Sequence, residues 1–115
     1  MDDKVLLRIC SIISYINQVC KDLDGLSLED LKQSNLLQRA VSFSIAQIGE
    51  TMTKLEPSLS NRYPDLPWIE ARGMRNFIVH DYQSIDIEEV YKTIKDDLPL
   101  LKTKLQLIKV EIAKA

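Results

Sequence analysis

Near the start of the chain, apolar residues recur at steps of three and four. Val5, Leu6, Ile9, Ile12, Ile13, Ile16, Val19 and Leu23 form one helical stripe and predict a helix from about Asp3 to Leu23. Asp2 and Asp3 suit its N-terminus, where the aligned peptide dipoles favour negative charge. Gly25 marks the stop. Ser27 can cap a short helical turn through Leu31, with Glu29 and Asp30 in its first turn. A second long helix is predicted from about Asn35 to Leu55. Its apolar positions, which include Leu36, Val41, Phe43, Ile48 and Met52, cover more than one stripe, so burial on two sides is expected. Gly49 falls inside this helix, where glycine costs about 1 kcal/mol relative to alanine. A glycine retained there points to close approach by another helix or a ligand. Glu56-Pro57 is expected to end the helix.

Residues 57–66 read as a loop, with Pro57, Ser58, Ser60, Asn61 and Pro64. Pro67 suits the first position of a third helix, running to about His80 or Tyr82. After a turn at Ser84 to Asp86, a fourth helix is predicted from about Asp86 to Asp97, with Ile87, Val90, Tyr91 and Ile94 on one face. Pro99 starts, or kinks into, a fifth helix striped by Leu101, Leu105, Ile108 and Ile112. No segment alternates with period two for long enough to predict a strand. The pattern is that of a single all-α domain over residues 1–115, an up-and-down bundle of four to five helices.

Composition narrows the function. Apolar residues make up 45% and charged residues 28%, the balance of a soluble globular protein. No apolar run approaches the roughly 20 residues that cross a bilayer, and Met1-Asp2-Asp3-Lys4 lacks a signal-peptide layout, so a cytoplasmic protein without membrane contact is expected. A net charge of −2 argues against a large nonspecific nucleic-acid footprint, but leaves room for a small basic site or one built from two chains. Cys10 and Cys20 fall in one predicted helix, about 15 Å apart at helical rise, too far for a disulfide. With those two cysteines and a single histidine, a zinc site lacks ligands, and neither metal nor cofactor is expected.

The candidate chemistry lies in Arg75-Asn76-Phe77-Ile78-Val79-His80-Asp81-Tyr82, which holds the only histidine. Arginine steadies phosphate charge, histidine moves protons near neutral pH, and a tyrosine hydroxyl can be modified. On one helix Arg72, Asn76 and His80 share a row, and Arg75 shares another with Tyr82. Arg75 and His80 then lie about 140° apart, poorly placed to grip one phosphate. Either the helix loosens near His80 or a second protomer brings its own helix alongside. The second geometry also supplies a second histidine, since metal-free RNA cleavage needs both a general base and a general acid.

Arg75-Asn76-x-x-x-His80-x-Tyr82 resembles the signature of HEPN ribonuclease domains, specifically their HepT-like branch. Ile48-Gly49-Glu50, Pro67-Trp68, Gly73-Met74-Arg75-Asn76 and Asp97-Leu98-Pro99-Leu100 resemble further family features in the same order, over about residues 36–101. The resemblance implies a HEPN-type helical bundle that dimerises through the motif helix, as a homodimer or a higher even-numbered oligomer. It also implies a metal-independent endoribonuclease, the toxin of a toxin–antitoxin pair. Its RNA substrate would be cut to a 2′,3′-cyclic phosphate end. The implied antitoxin is an MNT-type nucleotidyltransferase that neutralises the toxin by transferring AMP to the motif tyrosine, here Tyr82. By position, Arg75 and His80 would be catalytic, with Arg75 stabilising the phosphorane and His80 transferring protons. Asn76 would orient the site and Glu50 would hold Arg75.

Blander roles stand beside these. His80 could be a helix C-terminal residue favoured by the dipole, and Arg75 could make a purely structural ion pair with Glu50. Tyr82 could be a half-buried aromatic whose hydroxyl finds a partner. Arg72 reads as a solvated charge, Trp68 as a packing anchor, and Lys102, Lys104, Lys109 and Lys114 as a solvated face. Two other functions fit the same residues: a non-catalytic binding subunit that presents Tyr82 to a minimal nucleotidyltransferase, and a purely structural helical dimer.

Overall fold

A computed structural model of the chain describes residues 3–75 and 86–114. Helix α1 (Asp3–Asp22) buries Val5, Ile9, Ile12, Ile16 and Val19, the stripe predicted from their spacing. Gly25 follows with φ +74°, a left-handed turn that any side chain would strain. Helix α2 (Leu28–Gln33) opens on a reciprocal cap. The Asp30 N–H donates to Ser27 Oγ at 3.1 Å, and the Ser27 N–H donates to Asp30 Oδ2 at 2.8 Å. Two otherwise orphaned donors are thereby satisfied.

Helix α3 (Asn35–Leu59) starts on Ser34, whose Oγ accepts from the Leu37 N–H at 3.0 Å. It buries Val41, Ile45, Ile48, Met52 and Leu55, and also Ser42, Ser44 and Ala46, so it is covered on two sides as expected. It does not stop at Glu56-Pro57. Pro57 removes one backbone donor near the end of the helix, while the fully buried Leu59 and a Ser60 N–H bond to the Glu56 carbonyl at 2.9 Å close the last turn. Burial of one leucine outweighs a local stop signal.

Helix α4 spans Trp68–Met74, with Pro67 at its N-cap rather than at its first helical position, and the expected run to His80 or Tyr82 lies outside the described residues. Trp68 anchors its start: the ring is buried and Nε1 donates to the Tyr63 carbonyl at 3.0 Å. Helix α5 (Ile87–Lys92) begins on Asp86, whose carboxylate accepts from the N–H groups of Glu88 and Glu89. A π-helical turn (Thr93–Asp97) then leads directly into α6 (Leu98–Lys114). Pro99 therefore lies inside the first turn of a continuing rod. It cannot donate to the Lys95 carbonyl, and the Leu98 N–H reaches back five residues to Thr93, which gives the wider turn.

The long helix α1 packs against α3 and α6, α4 lies along α3, and α2 bridges α3 and α5. One continuous core results, with Ile9, Ile12, Ile45, Met52, Leu98 and Leu105 at its centre. Each such side chain contributes about 1.5–3 kcal/mol by leaving water. The described residues hold no strand, and the fold is all-α. Among them, no helix is long and apolar enough to cross a membrane.

Candidate active site

The site begins at a close contact between α3 and α4. A Cβ built on Gly49 would stand 2.7 Å from the Ala71 carbonyl oxygen, 2.8 Å from the Arg75 nitrogen and 2.8 Å from Met74 Cβ. The two backbones pass at a separation that only glycine permits, which explains why α3 tolerates a poor helix former there. Gly73 is different, since a Cβ there would meet nothing.

This contact sets neighbouring side chains face to face. Arg75, at the C-terminal end of α4, donates from Nε to Glu50 Oε2 at 2.9 Å. The side chains are 46% and 41% exposed, so the pair stands at the surface. Glu50 engages one edge of the planar guanidinium, and that contact leaves the four N–H groups on its two Nη atoms unused. Among the described residues, an arginine held this way is aimed by one edge and keeps donors that suit an anion. Six residues further along α3 and three back along α4, Arg72 grips Glu56 through both Nε and Nη2. The two rungs run in opposite chain directions, so α3 and α4 are antiparallel.

The structure thus brings Arg75 and Glu50 together as the sequence expected. Asn76, His80 and Tyr82 lie outside the described residues. Arg72 is exposed, in keeping with its reading as a solvated charge, but it is also paired with Glu56. That rung was missed because sixteen residues separate its members. An antiparallel α3–α4 hairpin through Glu50 and Arg75 would have pointed to it. Lys104 leaves the expected solvated face: its Nζ lies 3.4 Å from the Asp65 carbonyl, joining α6 to the loop before α4. Cys10 and Cys20 are free thiols. No group of histidine, cysteine and carboxylates among the described residues is arranged to hold a metal.

A cleft of about 370 Å³ borders the other flank of α4, between Leu66, Pro67, Glu70 and Met74 on one side and Leu98 and Leu101 on the other. Arg75 does not line it, so the cleft and the arginine are separate features.

Residues 12–108 match the family model described as "Ribonuclease HepT-like". The chain belongs to the HepT-like ribonuclease family. Its similarity to individual relatives is lower but extensive. It is 28% identical over 101 residues to "Probable ribonuclease HepT" of Thermococcus cleftensis, covering 88% of this chain and 89% of that one. It is 25% identical over 97 residues to a "Putative RNase" of Methanocaldococcus jannaschii, covering 84% and 89%. A third relative, the "Gamma-glutamylcyclotransferase and putative RNase" of the same organism, is 31% identical over 114 residues, covering 98% of this chain and 50% of its own length. No solved structure gives a significant match. HepT-like membership supports a ribonuclease, with RNA as its substrate.

Proposed function

We propose that this HepT-like protein is a metal-independent endoribonuclease, the toxin of a toxin–antitoxin pair in the cytoplasm, with a site composed from two chains. The observation that carries the reading is the half-exposed Arg75 held by Glu50 at the mouth of the signature segment. In this mechanism an RNA 2′-hydroxyl gives up its proton to a histidine and attacks the adjacent phosphorus in line. The bond from phosphorus to the 5′-oxygen breaks, that oxygen takes a proton from the second histidine, and a 2′,3′-cyclic phosphate remains. His80 of each chain supplies one of these proton transfers, each worth about 10²–10⁴-fold in rate. Arg75 offsets the charge that builds on the phosphorane oxygens. Asn76 orients the site, and Glu50 keeps Arg75 extended.

Two features support assembly into a homodimer. The chain has one histidine for a reaction that needs an acid and a base. Leu36 and Phe43 remain exposed at seven-residue steps from Glu50, on the same face of α3, and Ile69 of α4 is exposed as well. An MNT-type nucleotidyltransferase would silence the toxin by moving AMP from ATP to the Tyr82 hydroxyl, with pyrophosphate released. Modification within the signature segment adds a bulky anion that competes with the RNA phosphate for Arg75. Induced expression should arrest growth for wild type and not for His80→Ala. Purified His80→Ala protein that cleaves RNA as fast as wild type would end this mechanism.

A further inference from the structure

We infer that the Arg72–Glu56 pair is a positioning device for Arg75, and this inference rests on the ribonuclease reading above. Helix α4 is only seven residues long, and no side chain caps its N-terminus. Isolated helices of that length do not hold themselves in water. Its orientation is therefore set by what it touches. Trp68, Ala71 and Met74 seat its inner face in the core. Along its rim two further contacts reach α3 at two levels: the tight seat at Gly49 with the Glu50–Arg75 contact, and the Arg72–Glu56 rung about one turn earlier.

The two levels restrain different motions. The seat at Gly49 fixes how close the helices come. It does not by itself prevent α4 from rolling about its own axis. Glu50 meets Arg75 through Nε alone, and a single hydrogen bond tolerates rotation. Arg72 meets Glu56 through Nε at 3.1 Å and through Nη2, and two parallel bonds fix the plane of the fork. A roll of about 20° moves a group at the helix rim, about 5–6 Å from the axis, by roughly 2 Å. Displacements near 1 Å can cost about 10²-fold in rate. Rotation at Arg72 is therefore enough to misdirect Arg75.

The pair is poorly suited to be a stability element. Arg72 is 56% exposed and Glu56 21%, and an ion pair with one partner in solvent contributes only modestly to folding. Its orienting effect is geometric. Arg72 is also a poor direct phosphate ligand, because the edge of its guanidinium carrying Nε and Nη2 is already occupied by a carboxylate.

The test uses the full chain with Arg72→Ala, Arg72→Lys, Glu56→Gln and the exchange Arg72→Glu with Glu56→Arg. We expect kcat for RNA cleavage to fall about tenfold or more in Arg72→Ala, with KM and melting temperature nearly unchanged. Lysine keeps the charge but not the fork, so Arg72→Lys should fall as far as alanine. The exchange should recover part of the loss. A raised KM with unchanged kcat would make Arg72 an RNA contact and overturn the inference, as would wild-type kinetics in Arg72→Ala. An arm independent of activity follows the Arg75 Nε–H resonance. It should move toward that of a free arginine side chain in Arg72→Ala and in Glu56→Gln. If that resonance stays in place, Arg72 does not position Arg75, whatever the protein does to RNA. If it moves while wild type cleaves no RNA, positioning stands and the ribonuclease reading fails.

Discussion

Gly49 shows how one residue can control a site it never enters. Its missing Cβ lets the Arg75 backbone lie against α3, and the side chain of the next residue, Glu50, then meets the guanidinium. Gly49→Ala places a methyl group under 3 Å from two backbone atoms, which cannot swing aside as a side-chain end can. The helices must part. Overpacking of this kind costs about 1–3 kcal/mol. Denaturant unfolding should show that loss, and RNA cleavage should fall although no reacting group has changed. An alanine variant as stable as wild type would mean that α4 does not sit this close. The role of Gly49 was legible in the sequence because a mid-helix glycine carries a cost that something must offset. The Glu50–Arg75 pair was legible only through the family resemblance, since spacing alone cannot match residues twenty-five apart. The Arg72–Glu56 pair was not legible, because its existence depends on the register of two packed helices.

Among elements, α6 is tied to the segment before α4 by a bond with a distinct pH signature. Tyr63 donates its hydroxyl to Glu111 at 2.5 Å, and Arg62 lies 5.3 Å from the Tyr63 ring centre. The bond to the Glu111 carboxylate holds the phenol above its ordinary value, burial and the charge of Glu111 act in the same direction, and Arg62 partly opposes them. A group whose folded value is raised stabilises the fold fully below the ordinary tyrosine value and loses that contribution as pH rises through the raised one. The Tyr63–Glu111 tie should therefore hold at neutral pH and fail on the alkaline side of about pH 10. Phenolate absorbance titrations of wild type and Tyr63→Phe isolate this group, and Glu111→Ala should bring its transition down. Helix α1 was readable from periodicity and α2 from its cap, and the bounds of α1 and the start of α3 fell close to expectation. The end of α3 and the junction at Pro99 were not readable. Leu59 draws α3 past Pro57 by burial, and the π-helical turn lets Val90, Ile94 and Leu98 stay on the core despite two successive steps of four. Each such step overshoots a regular turn by about 40°. A wider turn absorbs the drift, and local pattern reading sees only a proline.

At the scale of the whole molecule, the proposed site is divided between two copies of one chain. Arg75→Ala and His80→Ala should each be inactive alone. Wild-type and His80→Ala chains mixed in equal amounts and allowed to re-pair should form heterodimers with a single histidine, which lack either the acid or the base. Only wild-type homodimers, about a quarter of all dimers, then cleave, so activity per wild-type chain falls about twofold. No fall, with exchange confirmed by mass, would place each site within a single chain. The Glu50–Arg75 contact lies within one chain, so each copy carries its arginine already aimed before it meets another. Assembly then needs only an encounter, with no further ordering of that side chain. While most chains are single, the number of complete sites grows as the square of the chain concentration. The proposed toxin would then have a dosage threshold: halving its synthesis would remove about three-quarters of its cutting power, and a few surplus copies would harm the cell out of proportion to their number.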